Sequence, residues 1–327
     1  MEQRPLGHSG LSVSRLALGT MTWGRDTDTD DAGRQLRAFV DAGGTLVDTA
    51  DRYADGESER ILGRLLAARG AGPPRAALIV ATKAGSATGP GPMDRGCSRA
   101  HLLAALDASL ERLGTPHVDV WQLHVWDDAT PLEESLGALD TAVSSGRVRY
   151  VGISNFAGWQ TAKAATWQRA WPGRAPLVST QVEYSLLARG VEREVVPAAR
   201  DAGMAVLPWS PLGRGVLTGK YRRATPADSR GASSAYRRFV QPYLDEQSAH
   251  IVEAVVIAAD GLGVSPLAVA LAWARDSPGV VAPIVGARTI AQLRAVLEAD
   301  GVSLPAEIRA ALDDVSSPPL GYPERVP

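Results

Sequence analysis

Short apolar runs alternate with longer stretches whose apolar residues recur every three or four positions, and the two patterns trade places along most of the chain. Leu16-Ala17-Leu18, closed by Gly19-Thr20, is followed by Asp28 to Ala42, where Leu36, Phe39 and Val40 keep helical spacing before the Gly43-Gly44 stop. Thr45 to Ala50 (TLVDTA) precedes Ser58 to Arg69, striped by Ile61, Leu62, Leu65 and Leu66. Leu78 to Thr82 precedes Ser98 to Leu113, which Ser98 is suited to cap, and Val118 to Leu123 precedes Leu132 to Val143, closed by Gly146. Tyr150 to Ile153 leads into a helix from Trp159 to Trp171, and Val178 to Val182 into Val191 to Ala202 with its Gly203 stop. Ala205 to Pro208 is the seventh run. A stretch rich in Gly, Arg and Ser, Gly213 to Gln247, then interrupts the rhythm before helices at Ser248 to Ala259 and Pro266 to Arg275. Val280 to Val285 and Ile290 to Ala299 form the last pair, and Pro305 to Val315 reads as one extra amphipathic helix.

Eight strand-helix units without a composition break predict one closed (β/α)8 TIM barrel over residues 1–327, with a small N-terminal hairpin in Arg4 to Ser14. An open doubly wound sheet asks for a Gly-rich turn after its first strand, and Gly19-Thr20-Met21-Thr22 is not that fingerprint. Composition fits a chain able to bury a sizeable core: 45% hydrophobic and 21% charged over 327 residues. A net charge of -2 offers no basic excess for nucleic acid and no block for a membrane surface. The lone cysteine, Cys97, excludes an internal disulfide and a cysteine-built metal site. With no apolar leader in MEQRPLGHSG and no run of membrane-spanning length, the expectation is a cytoplasmic protein.

In a barrel, residues at the carboxyl ends of the strands share one face, where chemistry sits. That face collects Asp48 and Tyr53 after strand two, Lys83 after strand three and His124 after strand four. A phenol with a reference pKa of about 10 is a poor acid, and a nearby cation makes proton donation easier. Lys83 can be that cation, Asp48 can hold its ammonium, and His124 can orient a substrate carbonyl. His8, His101, His117 and His250 are scattered, so no nucleophilic triad or metal cluster is evident. A proton donor without a nucleophile leaves the attack on the carbonyl to something else, and a hydride carrier fits.

The segments LALGTMTWG, VDTADRYADGESE, IVATKAG, VDVWQLH, VGISNF, QVEYSLL, PWSPLGRGVLTGKY and PIVGARTIAQL, in this order, resemble the aldo-keto reductase family over nearly the whole chain. The resemblance implies a barrel with a hairpin across its bottom, NAD(P)H-dependent carbonyl reduction, and a catalytic four at Asp48, Tyr53, Lys83 and His124. It places the nicotinamide carboxamide on Ser154, Asn155 and Gln181 and the ring on Trp209. Thr20 and Met21 join the cofactor-binding set. Ser210, Pro211, Leu212 and Gly213-Arg214-Gly215 match a loop over the pyrophosphate whose backbone amides can donate, with Lys220 beyond it. Gly286, Arg288, Thr289 and Gln292 match the region around the adenosine 2′-phosphate and adenine, which implies NADPH, with NADH as the alternative. Two departures stand out: Ala295 and Val296 occupy positions often held by adenine-contacting polar residues, and Ala54 follows Tyr53 where the family usually has Gly.

The partner so implied is a small-molecule carbonyl compound. Two further expectations stand beside it: a cofactor-bound regulatory or partner-binding subunit with slow turnover, and a ketosugar reductase. Trp23, after strand one, and Trp126, two residues beyond His124, are expected to stand at the mouth as an apolar substrate pocket. Oligomeric state is not readable from the pattern.

Overall fold

Gln3–Pro5 (β1) and Ser12–Ser14 (β2) pair antiparallel, with Gln3 opposite Ser14, and lie across one end of a closed ring of eight parallel strands. The ring runs through Ala17–Gly19 (β3), Leu46–Asp48 (β4), Ile79–Ala84 (β5), Val118–Leu123 (β6), Val148–Ser154 (β7), Leu177–Glu183 (β8), Ala205–Trp209 (β9) and Ile284–Val285 (β10), which returns to β3. The structure, a computed structural model, describes residues 1–68, 73–227, 229, 231–234, 236–319 and 321–322. The connecting helices are Thr29–Asp41 (α1), Glu57–Ala67 (α2), Arg99–Leu113 (α3), Leu132–Ser144 (α4), Gly158–Arg169 (α5) and Val195–Asp201 (α6). Arg237–Val240 (α7), Glu246–Leu262 (α8) and Pro266–Arg275 (α9) lie between β9 and β10, and Ile290–Ala299 (α10) and Ala306–Val315 (α11) close the chain.

Alternation along each strand divides the core in two. Leu18, Val47, Val80, Trp121, Val151, Val206 and Val285 face outward into the helices. Ala17, Leu46, Ala81, Val120, Val178, Ala205 and Ile284 face inward, where Leu6 and Val13 of the hairpin pack against them as a plug. The hairpin turns at Gly7, with φ +61°, and a Cβ there would meet the Val178 carbonyl at 2.4 Å, so only glycine allows this approach. Charge fastens the same end. Arg15 pairs with Asp300 at 2.8 Å, Arg4 Nη1 donates to the Arg275 carbonyl, and buried Arg275 binds Asp276 and the Val302 carbonyl.

Four elements depart from the pattern. β5 extends through Ala84, so Lys83 lies inside a strand, facing inward in step with Ile79 and Ala81. The sixth helix starts at Val195 and not Val191, because Pro197 lacks an N–H and is tolerated only within the first turn. The eighth strand shrinks to Ile284–Val285. Pro283 cannot donate to a ladder, and Val280 keeps only an isolated bridge to Val206. The second helix begins at Glu57, one residue early, and Arg69 lies outside the described residues. Among the described residues no single helix is long and apolar enough to cross a membrane.

Candidate active site

β4 ends at Asp48, and β5 aims Lys83 at it from the neighbouring strand. The Lys83 ammonium lies 2.8 and 2.7 Å from the two Asp48 oxygens and 2.7 Å from the Thr49 carbonyl. Both side chains are buried, so neither charge has water as an alternative partner. Tyr53 stands over this pair, with Lys83 Nζ 5.2 Å from the centre of its ring. Burial opposes the charge on Lys83, but Asp48 and Tyr53 outweigh it and leave the amine above its ordinary value. The phenol is also raised, by burial first, with Lys83 pulling the other way and Asp48 reinforcing. The expected acidification by Lys83 is therefore present but smaller than the effect of the surroundings. Tyr53 is held as an intact O–H that can give its proton only to a strong base.

His124 follows β6 with its ring 6.1 Å from that of Tyr53, nearly perpendicular at 81°. Burial, then the cations Lys83 and Arg52, push the imidazole down to about 3. It is neutral across the physiological range, and a neutral imidazole beside a phenol can hydrogen-bond a carbonyl oxygen without competing as an acid. Its Nδ1 is buried with no protein partner.

A second network joins this centre to the opposite wall. Gln181 Nε2 donates to Asp48 Oδ1 at 2.9 Å, and Ser154 Oγ donates to the Gln181 carbonyl at 2.9 Å. Asn155 Nδ2 donates to the His124 carbonyl, while its Oδ1 accepts from Trp209 Nε1 at 2.9 Å. Asn155 holds φ +59°, a left-handed conformation with a side chain attached, fixed by those bonds. Strands β4 to β9 thus contribute to one polar surface.

That surface lines a cavity of about 710 Å3. Asp48, Tyr53, His124, Ser154, Asn155, Gln181 and Trp209 line one end, with Met21, Ser210, Pro211, Leu212, Arg214, Gly215 and Lys220 along the side. Gly286, Arg288, Gln292 and Val296 line the far end. There Thr289 caps α10, and the Arg288 amide donates to Gln292 Oε1 at 3.0 Å. Apolar Val296, one of the two departures from the family pattern, is part of this wall.

Several expected residues stand elsewhere. Trp23 is fully buried in the core, donating to Gln35 Oε1 at 3.1 Å, because the turn after β3 folds it inward behind the mouth. It is no pocket residue. Trp126 does not line the cavity; it packs edge-on against Phe156 and Trp159 at 5.2 and 5.3 Å, with its indole N–H on Asp128. Thr20 is buried, its hydroxyl engaged with the Asp48 carbonyl and Ser58. Gly213 is buried under Leu187, outside the lining. The amides of Gly213 and Gly215 donate to Ser210 and Leu212 carbonyls, so these two close the loop on itself and are not spare donors. Arg214 touches the cavity, but its guanidinium is bidentate to Glu183 at 2.6 and 2.7 Å.

The cavity also includes Arg25, Arg52, Tyr236 and Phe239, which the strand-end pattern does not select. Phe239 stacks on Trp209 at 6.2 Å and 17°, and Arg214 lies 3.8 Å from the Phe239 ring centre and 4.9 Å from that of Tyr243. Tyr236 donates to Asp26 at 3.1 Å under the Arg25 guanidinium. The chain around α7 is thereby pinned to the loops after β3 and β9. Its signal in the sequence is the aromatic spacing 236, 239, 243, a helical stripe inside a polar stretch.

Comparison with known proteins agrees with this geometry. The model of the aldo/keto reductase family matches residues 15–317. An uncharacterised oxidoreductase, YrpG, of Bacillus subtilis (strain 168) is 40% identical over 98% of this chain and 98% of its own length. A probable voltage-gated potassium channel subunit beta of Arabidopsis thaliana is 35% identical over 99% and 98%, respectively. The L-glyceraldehyde 3-phosphate reductase of Escherichia coli (strain K12) is 35% identical over 91% of this chain and 87% of its own.

Proposed function

This chain belongs to the aldo/keto reductase family and is an NAD(P)H-dependent oxidoreductase, and from that premise we propose that it reduces an aldehyde or ketone with NADPH, Tyr53 giving the proton. One observation carries the reading: a buried ammonium, held by three oxygens of Asp48 and Thr49, beneath a protonated phenol and beside a neutral imidazole. Trp209, Ser154, Asn155 and Gln181 suit the nicotinamide end, and Arg288, Gln292 and Lys220 suit the phosphate-bearing end. Bound there, the cofactor supplies the hydride. A phenol raised above its ordinary value by burial retains its proton until an alkoxide, a far stronger base, develops on the substrate. Lys83 then offsets the charge left on Tyr53, and Asp48 keeps Lys83 in place. His124 orients the carbonyl oxygen toward the phenol.

Relatives carry names as different as a channel subunit and a sugar-phosphate reductase, and the intact quartet favours turnover over a purely regulatory part. For the substrate, the Trp126, Phe156 and Trp159 rings follow directly on His124 and Asn155, and Trp159 is 57% exposed. With Phe156 buried, exposed Trp159 and part of Trp126 present the aromatic surface, which favours carbonyls with a flat apolar portion. Steady-state oxidation of NADPH with a panel of aromatic, alicyclic and sugar carbonyls tests both levels. Turnover that prefers flat carbonyls supports the reading; no turnover of any member overturns it.

A further inference from the structure

Behind Tyr53 lies a second acid that this mechanism does not use. Asp51 is 3% exposed, and neither of its carboxylate oxygens has a hydrogen-bond partner. Its surroundings explain why ionisation is disfavoured there. Buried Glu59 of α2 is already satisfied, by Arg112 of α3 at 2.7 Å and by Thr82 Oγ1 at 2.5 Å, and it presents a like charge to Asp51. Arg112 is spoken for by Glu59, and Lys83 of β5 by Asp48. The Arg52 amide and the charges of Arg112 and Lys83 favour the carboxylate, but burial and the like charge of Glu59 outweigh them, so the neutral carboxyl is the less costly form there.

Asp51 is also wired to the catalytic pair. Its amide donates to the Lys83 carbonyl at 3.1 Å, and the Tyr53 amide donates to the adjoining Ala50 carbonyl at 3.2 Å. The turn they belong to continues through Ala54 and Asp55, both left-handed at φ 47° and 52°, and Gly56, whose Cα faces the Arg112 side chain. A charge appearing on Asp51 would therefore act on the Lys83 ammonium, the cation whose pull on the Tyr53 phenol favours release of its proton.

We propose that Tyr53 is the better proton donor while Asp51 is a neutral carboxylic acid, and that ionisation of Asp51 weakens the phenol as a donor and begins the loss of rate as pH rises. Asp51 is a positioning residue, touching neither substrate nor cofactor. When Asp51 ionises, its negative charge cancels part of the Lys83 field at the phenol. Tyr53 stays protonated but becomes a weaker acid, and rate is lost before Tyr53 itself titrates. Burial and Glu59 raise the Asp51 carboxyl to about 7, so the loss falls in the neutral range. It amounts to at most about tenfold, the effect of one pKa unit on the donor.

This inference rests on carbonyl reduction as the function, so its test has one arm that needs no turnover. Infrared titration of the protein follows the C=O stretch of a protonated carboxyl; a band that disappears near neutrality in the parent and is missing throughout in Asp51→Asn supports the claim. In the activity arm, kcat against pH is measured for the parent, Asp51→Asn and Glu59→Gln. Asp51→Asn should carry its acid-side rate to higher pH. Glu59→Gln removes the like charge, so its fall should begin at lower pH than in the parent. A band that titrates in the ordinary carboxylate range, or a kcat fall unmoved in both variants, overturns the proposal. If no carbonyl is turned over, the functional reading fails while the infrared arm still decides the state of Asp51.

Discussion

The two ends of the barrel are built on opposite terms. At the hairpin end, left-handed backbone falls on glycines, Gly7, Gly43 and Gly203 among them, and the charges of Arg4, Arg15, Arg275, Asp276 and Asp300 are matched in one network. At the other end, beside glycines such as Gly56 and Gly215, left-handed positions also carry side chains: Ala54, Asp55, Asn155, Ser210 and Arg214. There, too, His124 Nδ1 and both Asp51 oxygens lack partners. Closed charge marks the end that holds the fold together. Left-handed backbone that carries side chains marks the end that does chemistry, where the surrounding structure must overrule local preference.

That contrast predicts which substitutions touch activity and which touch stability. Lys83→Met should do both, lowering carbonyl reduction by about 10²- to 10⁴-fold and stability by about 3–5 kcal/mol, since Asp48 is left buried with no cation. Thermal melting and NADPH oxidation on one preparation check it, and a folded variant with near-parent turnover breaks the comparison. At the opposite end, Arg275→Met should cost about 1–3 kcal/mol in urea unfolding by leaving the part-buried Asp300 and Val302 carbonyls without their donor, while Asp276 and Asp300 keep Arg4 and Arg15, yet leave kcat unchanged while folded. A change in kcat would mean the two ends are not independent.

Smaller effects sharpen the picture at the mouth. Arg288→Ala should raise KM for NADPH by about tenfold or more, the equivalent of about 1.5–3 kcal/mol for a charged hydrogen bond, and raise it less for NADH. Equal effects would remove Arg288 from the phosphate. Trp126→Ala should shift the ranking of carbonyl substrates by about 1 kcal/mol while KM for NADPH holds steady. An unchanged ranking would reduce the aromatic patch to packing.

What the linear pattern reveals, and what it hides, follows from how far each feature reaches along the chain. Lys83 and His124 are visible because the period of a strand decides which residues face the barrel axis, and strand ends decide the rim. Trp23 sits at a rim position too, but its direction is set by the Gln35 amide on α1, a contact the spacing does not encode. Arg25 and Phe239 reach the cavity only because Tyr236 is pinned to Asp26, 210 residues away. The sequence offers the amides of Ser210 to Gly215 to a phosphate, and the left-handed run that would allow this instead turns two of them inward. Asp51 looks like one more acid in VDTADRY until Glu59 is seen to stand beside it, already paired with Arg112.

The central claim is that Tyr53 is the proton donor and nothing else in the cavity replaces it. Tyr53→Phe keeps the ring and deletes one oxygen, and both properties can be read on one sample. Quenching of tryptophan fluorescence by NADPH should give a dissociation constant close to the parent's, because Trp209 and the Asn155 network are intact. Turnover of a carbonyl substrate on that sample should fall by about 10²- to 10⁴-fold. Parent-like binding together with parent-like turnover would contradict the account.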